Sequence, residues 1–530
     1  MGDNSTWKVQ GQSWITSVDT TNAQNATIDL VEANTDRNTT SHALTIYDLK
    51  GNANINMSLD GNRDVSDMLY IKNAQGEYNV ALADAVTTED MYANGLDGLR
   101  FATVGAGSNV RFNAGSYDAG VFNVEYEVGT DAYDGNDENV VYNGNSLDVE
   151  KPGTSTVDSF FGYQGEDPNA EENTSEIATY ARMAEEPQVM ALAEEPATET
   201  TATTKEATAT GATNYKLIAR KGESLSDAGK TILNMSKANY SQAVYLDTLN
   251  KRLGEARYLE GDEGLWVRMR HDKIDKDSSY EITNNMYELG YDKKYESKDK
   301  NGYHRRGVAI DYMDGDTSYD DIAGSGETNR KGIWLYDTWI GNKGHYTDYV
   351  AKWGHLENSF DLYTKTRGEK VSGEYDNDVY SLSAEWGYKD QLNNDWYIEP
   401  QVQLQYARVT GADYETSQGT QVSVDGIDSL IARAGFRLGK DFGEEKKSTF
   451  YVKADVLHEF LGDQDITAID KTTNGAANIG YDNDGTWYSV GLGFSTMLSD
   501  NSYAFLDVEK IFGNDNDNSY QINGGFNWLL

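Results

Sequence analysis

The sequence predicts an all-β fold: a twelve-stranded antiparallel transmembrane β-barrel, preceded by one α-helix, a disordered linker and a β-solenoid-like N-terminal part. Three observations carry this. From Gly264 onward about a dozen segments of roughly ten residues alternate apolar and polar side chains, the pattern of membrane strands. Eight of the ten Trp lie after residue 263, often at segment ends, where an aromatic girdle sits. No run of about 18 apolar residues exists to make a transmembrane helix.

Residues 1–150 are rich in Asn, Asp, Thr and Gly, with short apolar runs at Met68-Leu-Tyr-Ile71, Tyr78 to Leu82, Leu99 to Val104 and Val121 to Tyr126. Turn residues such as Asp97-Gly98 punctuate them, so this part reads as brief strands in a β-solenoid or a small β-sandwich. Residues 151–223 change character. Four of the five prolines fall here (Pro152, Pro168, Pro187, Pro196), and the stretch from Glu194 is acidic, Thr-rich and nearly free of large apolar side chains. Such a composition cannot bury enough surface to offset its ordering entropy, so a disordered acidic linker is expected.

Residues 224–263 hold the helix and a junction. Ser224-Leu-Ser-Asp227 gives a cap-like start, and Leu246, Leu249, Leu253 and Ala256 recur at helical spacing. One helix over 224–257 would reach roughly 50 Å at about 1.5 Å per residue.

The barrel, residues 264–530, is clearest in its later strands. Trp396, Ile398, Pro400, Val402, Leu404 and Tyr406 share one face, and Tyr397, Glu399, Gln401, Gln403 and Gln405 the other. Leu430 to Leu438, Tyr488 to Phe494 and Tyr520 to Leu530 repeat the pattern. A soluble sandwich also alternates, but strands of about 10 to 14 residues exceed its usual 5 or 6 and suit a tilted bilayer crossing. The twelve strands are expected to begin near Gly264, Met286, Gly302, Lys331, His345, Asp378, Asp395, Ile427, Ser448, Thr486, Ser502 and Ser519. Long acidic loops are expected at Asp314–Arg330 and Phe460–Gly485, on the outer side.

Composition removes several functions. With 87 Asp plus Glu against 45 Lys plus Arg, the chain repels nucleic acid. There is no cysteine, and the six scattered His form no metal-ligand spacing, so neither a metal site nor a cofactor is expected. Gly144-Asn-Ser-Leu147 resembles an esterase block faintly, but no downstream His-containing block precedes the linker, so a turn is expected and no catalytic residue is assigned. Asp131 to Glu138 and Asp482-Asn-Asp-Gly485 lack EF-hand spacing and read as acidic turns. Met1-Gly-Asp-Asn-Ser-Thr6 has no basic or apolar leader segment, so an exported chain is expected to continue upstream.

Leu249-Asn-Lys-Arg-Leu-Gly-Glu-Ala-Arg257, followed by Gly264-Leu-Trp-Val-Arg268 and closed by Tyr520 to Leu530, resembles the translocator domain of type V autotransporters over about residues 224–530. Ser66 to Lys72 and Gly76 to Val80 are similar to the end of a pertactin-like passenger. The resemblance implies a barrel in the bacterial outer membrane, a helix threading its lumen, and a passenger at the cell surface serving adhesion or another interaction with an unknown surface ligand. It implies outer-membrane lipid, barrel assembly machinery and periplasmic chaperones as partners. Asn250, Arg252 and Arg257 are the lumenal candidates, the two arginines either as ion pairs with the wall or as solvated helix charges. Phe526, Trp528 and Leu530 are candidates for the assembly signal. Some family members cut their passenger loose at an Asn pair; Asp247 and Thr248 stand at those positions, so the passenger is expected to stay attached. Two alternatives stay open: a twelve-stranded porin, and the C-terminal part of a surface enzyme whose catalytic passenger lies upstream.

Overall fold

The computed structural model describes residues 1–31, 42–59, 66–82, 98–133, 140–142, 154–156, 160–161, 211–255, 257, 261–276, 279–365, 368–443, 447–470, 475–516 and 518–530. Two compact units emerge: Met1–Ser116 with Val124–Arg220, and Tyr117–Asn123 with Lys221–Leu530.

The first unit is a stack of parallel strands. Gln12–Thr20 and Thr27–Asp29 pair with Ala43–Met57, which pairs with Met68–Leu82; that strand pairs in turn with Leu99–Val104 and Asn109–Ala114. Parallel pairing of successive coils settles the solenoid over the sandwich. Leu44, Ile46, Leu49 and Ile55 lie over Leu69, Ile71, Ala74 and Val80 in a continuous buried core. Outside it, Asp48 accepts from Asn73 (2.9 Å) and Asn54 from Asn79 (3.3 Å), so polar side chains stack in register too. Gly51 and Gly76 face each other at positive φ, and a Cβ on Gly76 would strike the Gly51 carbonyl. The buried Asp67 carboxylate accepts from the backbone N–H groups of His42 (3.0 Å) and Ser58 (2.8 Å), tying neighbouring coils.

Thr213–Leu225 forms a strand, antiparallel to Leu99–Val104 from Thr213↔Val104 to Leu217↔Leu99. This corrects the sequence boundaries, which put 213–223 in the linker and began the helix at 224. Covering the Leu99–Val104 strand removes an open edge, a tertiary gain that local composition does not announce. The rest of the expected linker lies almost wholly outside the described residues, as does Gly144-Asn-Ser-Leu147.

The second unit contains the barrel. Its strands are β1 (Glu263–Lys276), β2 (Tyr280–Glu296), β3 (Gly302–Tyr319), β4 (Ala323–Gly341), β5 (His345–Tyr363), β6 (Lys370–Tyr388), β7 (Trp396–Val409), β8 (Ile427–Phe442), β9 (Ser448–Glu459), β10 (Gly485–Ser499), β11 (Ser502–Phe512) and β12 (Tyr520–Leu529). Each is antiparallel to the next, and β12 returns to β1 from Gly264↔Leu529 to Lys273↔Tyr520. Closure matters because an open edge in hydrocarbon would leave backbone groups unpaired. The expected alternation holds: Trp396, Ile398, Val402, Leu404 and Tyr406 are exposed outward, while Glu399, Gln401, Gln403 and Gln405 are buried inward.

Three strand starts need correction. β2, β4 and β6 begin at Tyr280, Ala323 and Lys370 rather than near Met286, Lys331 and Asp378. The expected loop Asp314–Arg330 is therefore mostly strand, with its turn at Asp320–Ile322. There the outward residues meet water, so the apolar half of the alternation disappears while the ladder of backbone hydrogen bonds continues. The expected loop Phe460–Gly485 also carries strands: Asp463–Asp470 and Gly475–Asp482 join Ala412–Glu415 and Gln421–Val424 in a four-stranded sheet.

The single expected helix is two. α1 (Asp227–Ala243) is capped not by Ser224 but by Ser226, whose hydroxyl accepts from Gly229 N (3.0 Å). α2 (Leu249–Leu253) is capped by Thr248 and ends at Gly254. Residues 244–248 between them are extended or irregular. No described helix is long and apolar enough to cross a membrane.

Candidate functional site: the filled barrel lumen

α1 enters at the end of the barrel where the four-stranded loop sheet lies. Ala228, Ile232, Met235 and Ala238 pack with Ile282, Phe360 and Tyr375 of the wall and with Val422, Val424 and Ile466 of that sheet. Below this apolar collar the contacts turn to amides. Asn239 donates to Asn358 (2.9 Å) and Asn377 (3.1 Å), and Gln242 to Asn284 (3.0 Å). Small and amide side chains let a helix approach a polar wall without stranding a charge.

The break between α1 and α2 holds the densest charge. Tyr245 lies against Arg270 (4.2 Å from the ring centroid), Lys352 (4.5 Å) and Arg330 (4.9 Å), and Arg330 donates to its hydroxyl. Asp247 receives Lys352 Nζ at 2.6 Å and Arg268 Nη2 at 3.0 Å, with Arg270 Nη1 at 3.8 Å. Its backbone carbonyl accepts from Gln403 (2.8 Å). Arg268 also pairs with Glu288, and Arg270 with Asp272 (2.5 Å).

α2 continues the matching. Lys251 meets Glu509 (2.5 Å), which also meets Lys453 (2.9 Å). Arg252, fully buried, reaches both oxygens of Asp348 (2.7 and 3.0 Å), donates to Thr338 (3.1 Å) and lies 4.4 Å from the Tyr336 ring. Asn250 accepts from Gln401 (2.9 Å). Past Gly254, Glu255 meets Arg257 (2.9 Å), Arg437 (3.3 Å) and Lys389 (3.6 Å); Arg257 also meets Glu399 (2.9 Å). Leu249 and Leu253 pack with Trp266, Trp334, Tyr346, Tyr503 and Phe505 in an apolar floor.

The structure thus places all three lumenal candidates, Asn250, Arg252 and Arg257, against the wall, and both arginines are ion-paired rather than solvated. Sequence reasoning missed Tyr245, Lys251 and Glu255, and noticed Asp247 only as a departure from the family. A usable signal was present: five charges of mixed sign within 247–257, too many for an unpaired buried segment. The assembly candidates lie apart, on the outer face of the closing strand. Trp528 is opposite Leu265 and Phe526 opposite Val267; Trp528 and the terminal Leu530 are exposed, and the rings of Phe526 and Trp528 are 4.1 Å apart. Asp482 to Gly485 is an acidic turn, with Asp484 N donating to Asp482 Oδ1 (2.7 Å); Asp131 to Glu138 lies partly outside the described residues.

A closed twelve-stranded barrel with an apolar outer face and a charged lumen occupied by the chain's own upstream segment is an outer-membrane barrel filled by its own polypeptide. Residues 264–509 match the family model described as the autotransporter beta-domain. Over these residues the chain is similar to autotransporter translocator domains, barrels of the bacterial outer membrane.

Among relatives, the BrkA autotransporter of Bordetella pertussis is 28% identical over 227 residues, 42% of this chain and 22% of its own. The pertactin autotransporter of Bordetella parapertussis is 29% identical over 286 residues, 52% of this chain and 30% of its own. The serine protease EspC of Escherichia coli is 27% identical over 310 residues, 57% and 23% of the two chains. This chain therefore spans less than a third of the length of each. The solved β domain of Bordetella BrkA is 21% identical, covers 51% of this chain and 100% of its own, with a TM-score of 0.42. The translocator domain of NalP from Neisseria meningitidis is 11% identical, covers 57% and 99%, with a TM-score of 0.45.

Proposed function

We propose that this chain exports its own N-terminal solenoid through the barrel and holds it on the cell surface, for adhesion or another surface interaction. The observation that supports it is the segment from α1 to Arg257, lodged in the lumen by ion pairs matched residue by residue to the wall. A pore for solutes has no use for such a segment. Insertion would rely on the barrel assembly machinery and periplasmic chaperones, with Phe526, Trp528 and Leu530 presented on the closing strand.

The passenger stays attached in this reading. Asp247 offers a carboxylate held by cations in place of an amide, and Thr248 is committed to capping α2. The test is electrical. The full chain in planar bilayers should conduct little, and deletion of residues 224–257 should raise conductance strongly. Equal, large conductance in both would favour a porin.

A second reading has an observation behind it: several relatives, EspC among them, are named serine proteases. The resemblance covers the translocator, at low identity. A catalytic passenger upstream of residue 1 would make the whole protein an enzyme, with these residues as its exporter. A gene product extending well upstream and cleaving a peptide substrate would establish it.

A further inference from the structure

The lipid-facing wall differs from one flank to the other. On β7, Trp396, Ile398, Val402, Leu404 and Tyr406 all project outward, ending at the Arg408–Asp428 pair (2.6 Å). On β4 Ile333 and Leu335 do so, between Lys331 and Asp337, and the half-buried Trp339 follows beyond Asp337, its indole N–H donating to Ser297 (3.1 Å). Lys331 pairs with Glu357 (2.8 Å) on the same outward face. Asp337 receives Arg306 (2.8 Å) and His304 (2.7 Å) from β3, and all three are partly exposed. β3 repeats the pattern, with Val308, Ile310 and Tyr312 outward and Arg306 below them.

At about 3.4 Å per residue and a tilt of about 40°, Trp396 to Tyr406 spans about 26 Å along the membrane normal, the usual band of about 25 Å. By the same arithmetic Lys331 to Asp337 spans about 16 Å. An arginine could snorkel out of a thicker bilayer, but aspartate and histidine have no stem long enough to do so. Leaving the His304–Asp337–Arg306 triad in hydrocarbon is strongly unfavourable. The remaining adjustment is by the lipid.

We propose that the β3–β4 flank is a bilayer-thinning surface, its partner the phospholipid headgroups that it draws toward the midplane. The proposal rests on the barrel being inserted and is independent of what passes through it. The flank lies two strands from the β1–β12 closure, so thinning would fall beside the site where the ring closes.

The chain has no cysteine, so single spin labels report cleanly. Leu335→Cys and Val402→Cys, in the full chain, would be labelled in vesicles of phosphatidylethanolamine and phosphatidylglycerol with 16- to 18-carbon chains. Depth is read from collisions with oxygen against a water-soluble nickel chelate. The expected result is a label at 335 within about 5 Å of the headgroups and one at 402 at about 10 Å or deeper. Ile310→Cys serves where Leu335→Cys fails to fold. Equal depth at 335 and 402 would overturn the thinning alone; a shallow 402 would overturn the membrane-spanning reading and the thinning with it. Replacing His304, Arg306 and Asp337 together by Leu should move the 335 label deeper, and an unmoved label would overturn the role given to the triad.

Discussion

Asp247→Ala should loosen the lumenal segment by an amount that can be worked out from its neighbours. Its carboxylate is shared by Arg268, Lys352 and Arg270. Arg268 keeps Glu288 and Arg270 keeps Asp272 when Asp247 is removed. Among the described residues Lys352 keeps the rings of Trp334 (3.8 Å) and Tyr245 (4.5 Å) and the attraction of the nearby Glu288, but no direct hydrogen-bonded carboxylate. Breaking a buried pair by deleting one partner costs about 3 to 5 kcal/mol, and the cation–π contacts that remain put this case near 3. At 1.4 kcal/mol per tenfold, the population with the segment displaced should rise by about a hundredfold. Single-channel recording of the full chain would show it as more frequent opening. Asp247→Ala with Lys352→Met removes the stranded cation and should recover most of the closed state. Wild-type opening in Asp247→Ala, or no recovery in the double variant, would refute the reasoning that Asp247 anchors the segment through Lys352.

Arg252→Glu should open the barrel in the same assay, and Arg252→Glu with Asp348→Arg should close it in part; equal opening in both would show that the pair is not a specific contact. Immunoblots of purified outer membranes should show an uncut chain, and a stable break between Thr248 and Asn250 would exclude the attached passenger. Deleting Trp528 to Leu530 should abolish heat-modifiable folded barrel and Trp528→Asp should nearly do so, whereas wild-type amounts from both would remove the assembly role from the closing strand. In the solenoid, Asp67→Ala strands the N–H groups of His42 and Ser58, at about 1 to 3 kcal/mol each. Limited proteolysis of the exported passenger should then cut sooner, and unchanged resistance would mean that water replaces the carboxylate.

Where lipid and core lie on opposite sides of a strand, the alternation is chemical and the sequence reports it; β7, β8 and β12 were legible almost to the residue. Above the bilayer the outward side chains are Glu327, Asn329 and Asp316, water meets both character types alike, and the starts of β2, β4 and β6 became invisible. The loop sheet was hidden for the same reason. Its strands gain their order from packing Val422, Val424 and Ile466 on α1, a contact made across more than 180 residues. The helix break at 244–248 was hidden because no proline or glycine marks it; it follows from Tyr245 and Asp247 finding partners on the wall. Arg252 and Arg257 were legible as charges beside an apolar stripe, but their partners Asp348 and Glu399 lie on strands that only the closed ring brings near.

The charges of the lodged segment run minus at Asp247, plus at Lys251, plus at Arg252, minus at Glu255 and plus at Arg257. Advance the chain by four residues and Lys251 arrives among Arg268, Arg270 and Lys352, while Glu255 faces Glu509. Retreat by four and Asp247 faces Glu509, while Lys251 confronts Arg437 and Lys389. Both neighbouring positions set like charges together in a space that excludes water, and like charges there repel strongly. The barrel wall therefore works as a keyed stop: a slip of four residues either way meets repulsion, and the coding for the lodged setting is written in five side chains.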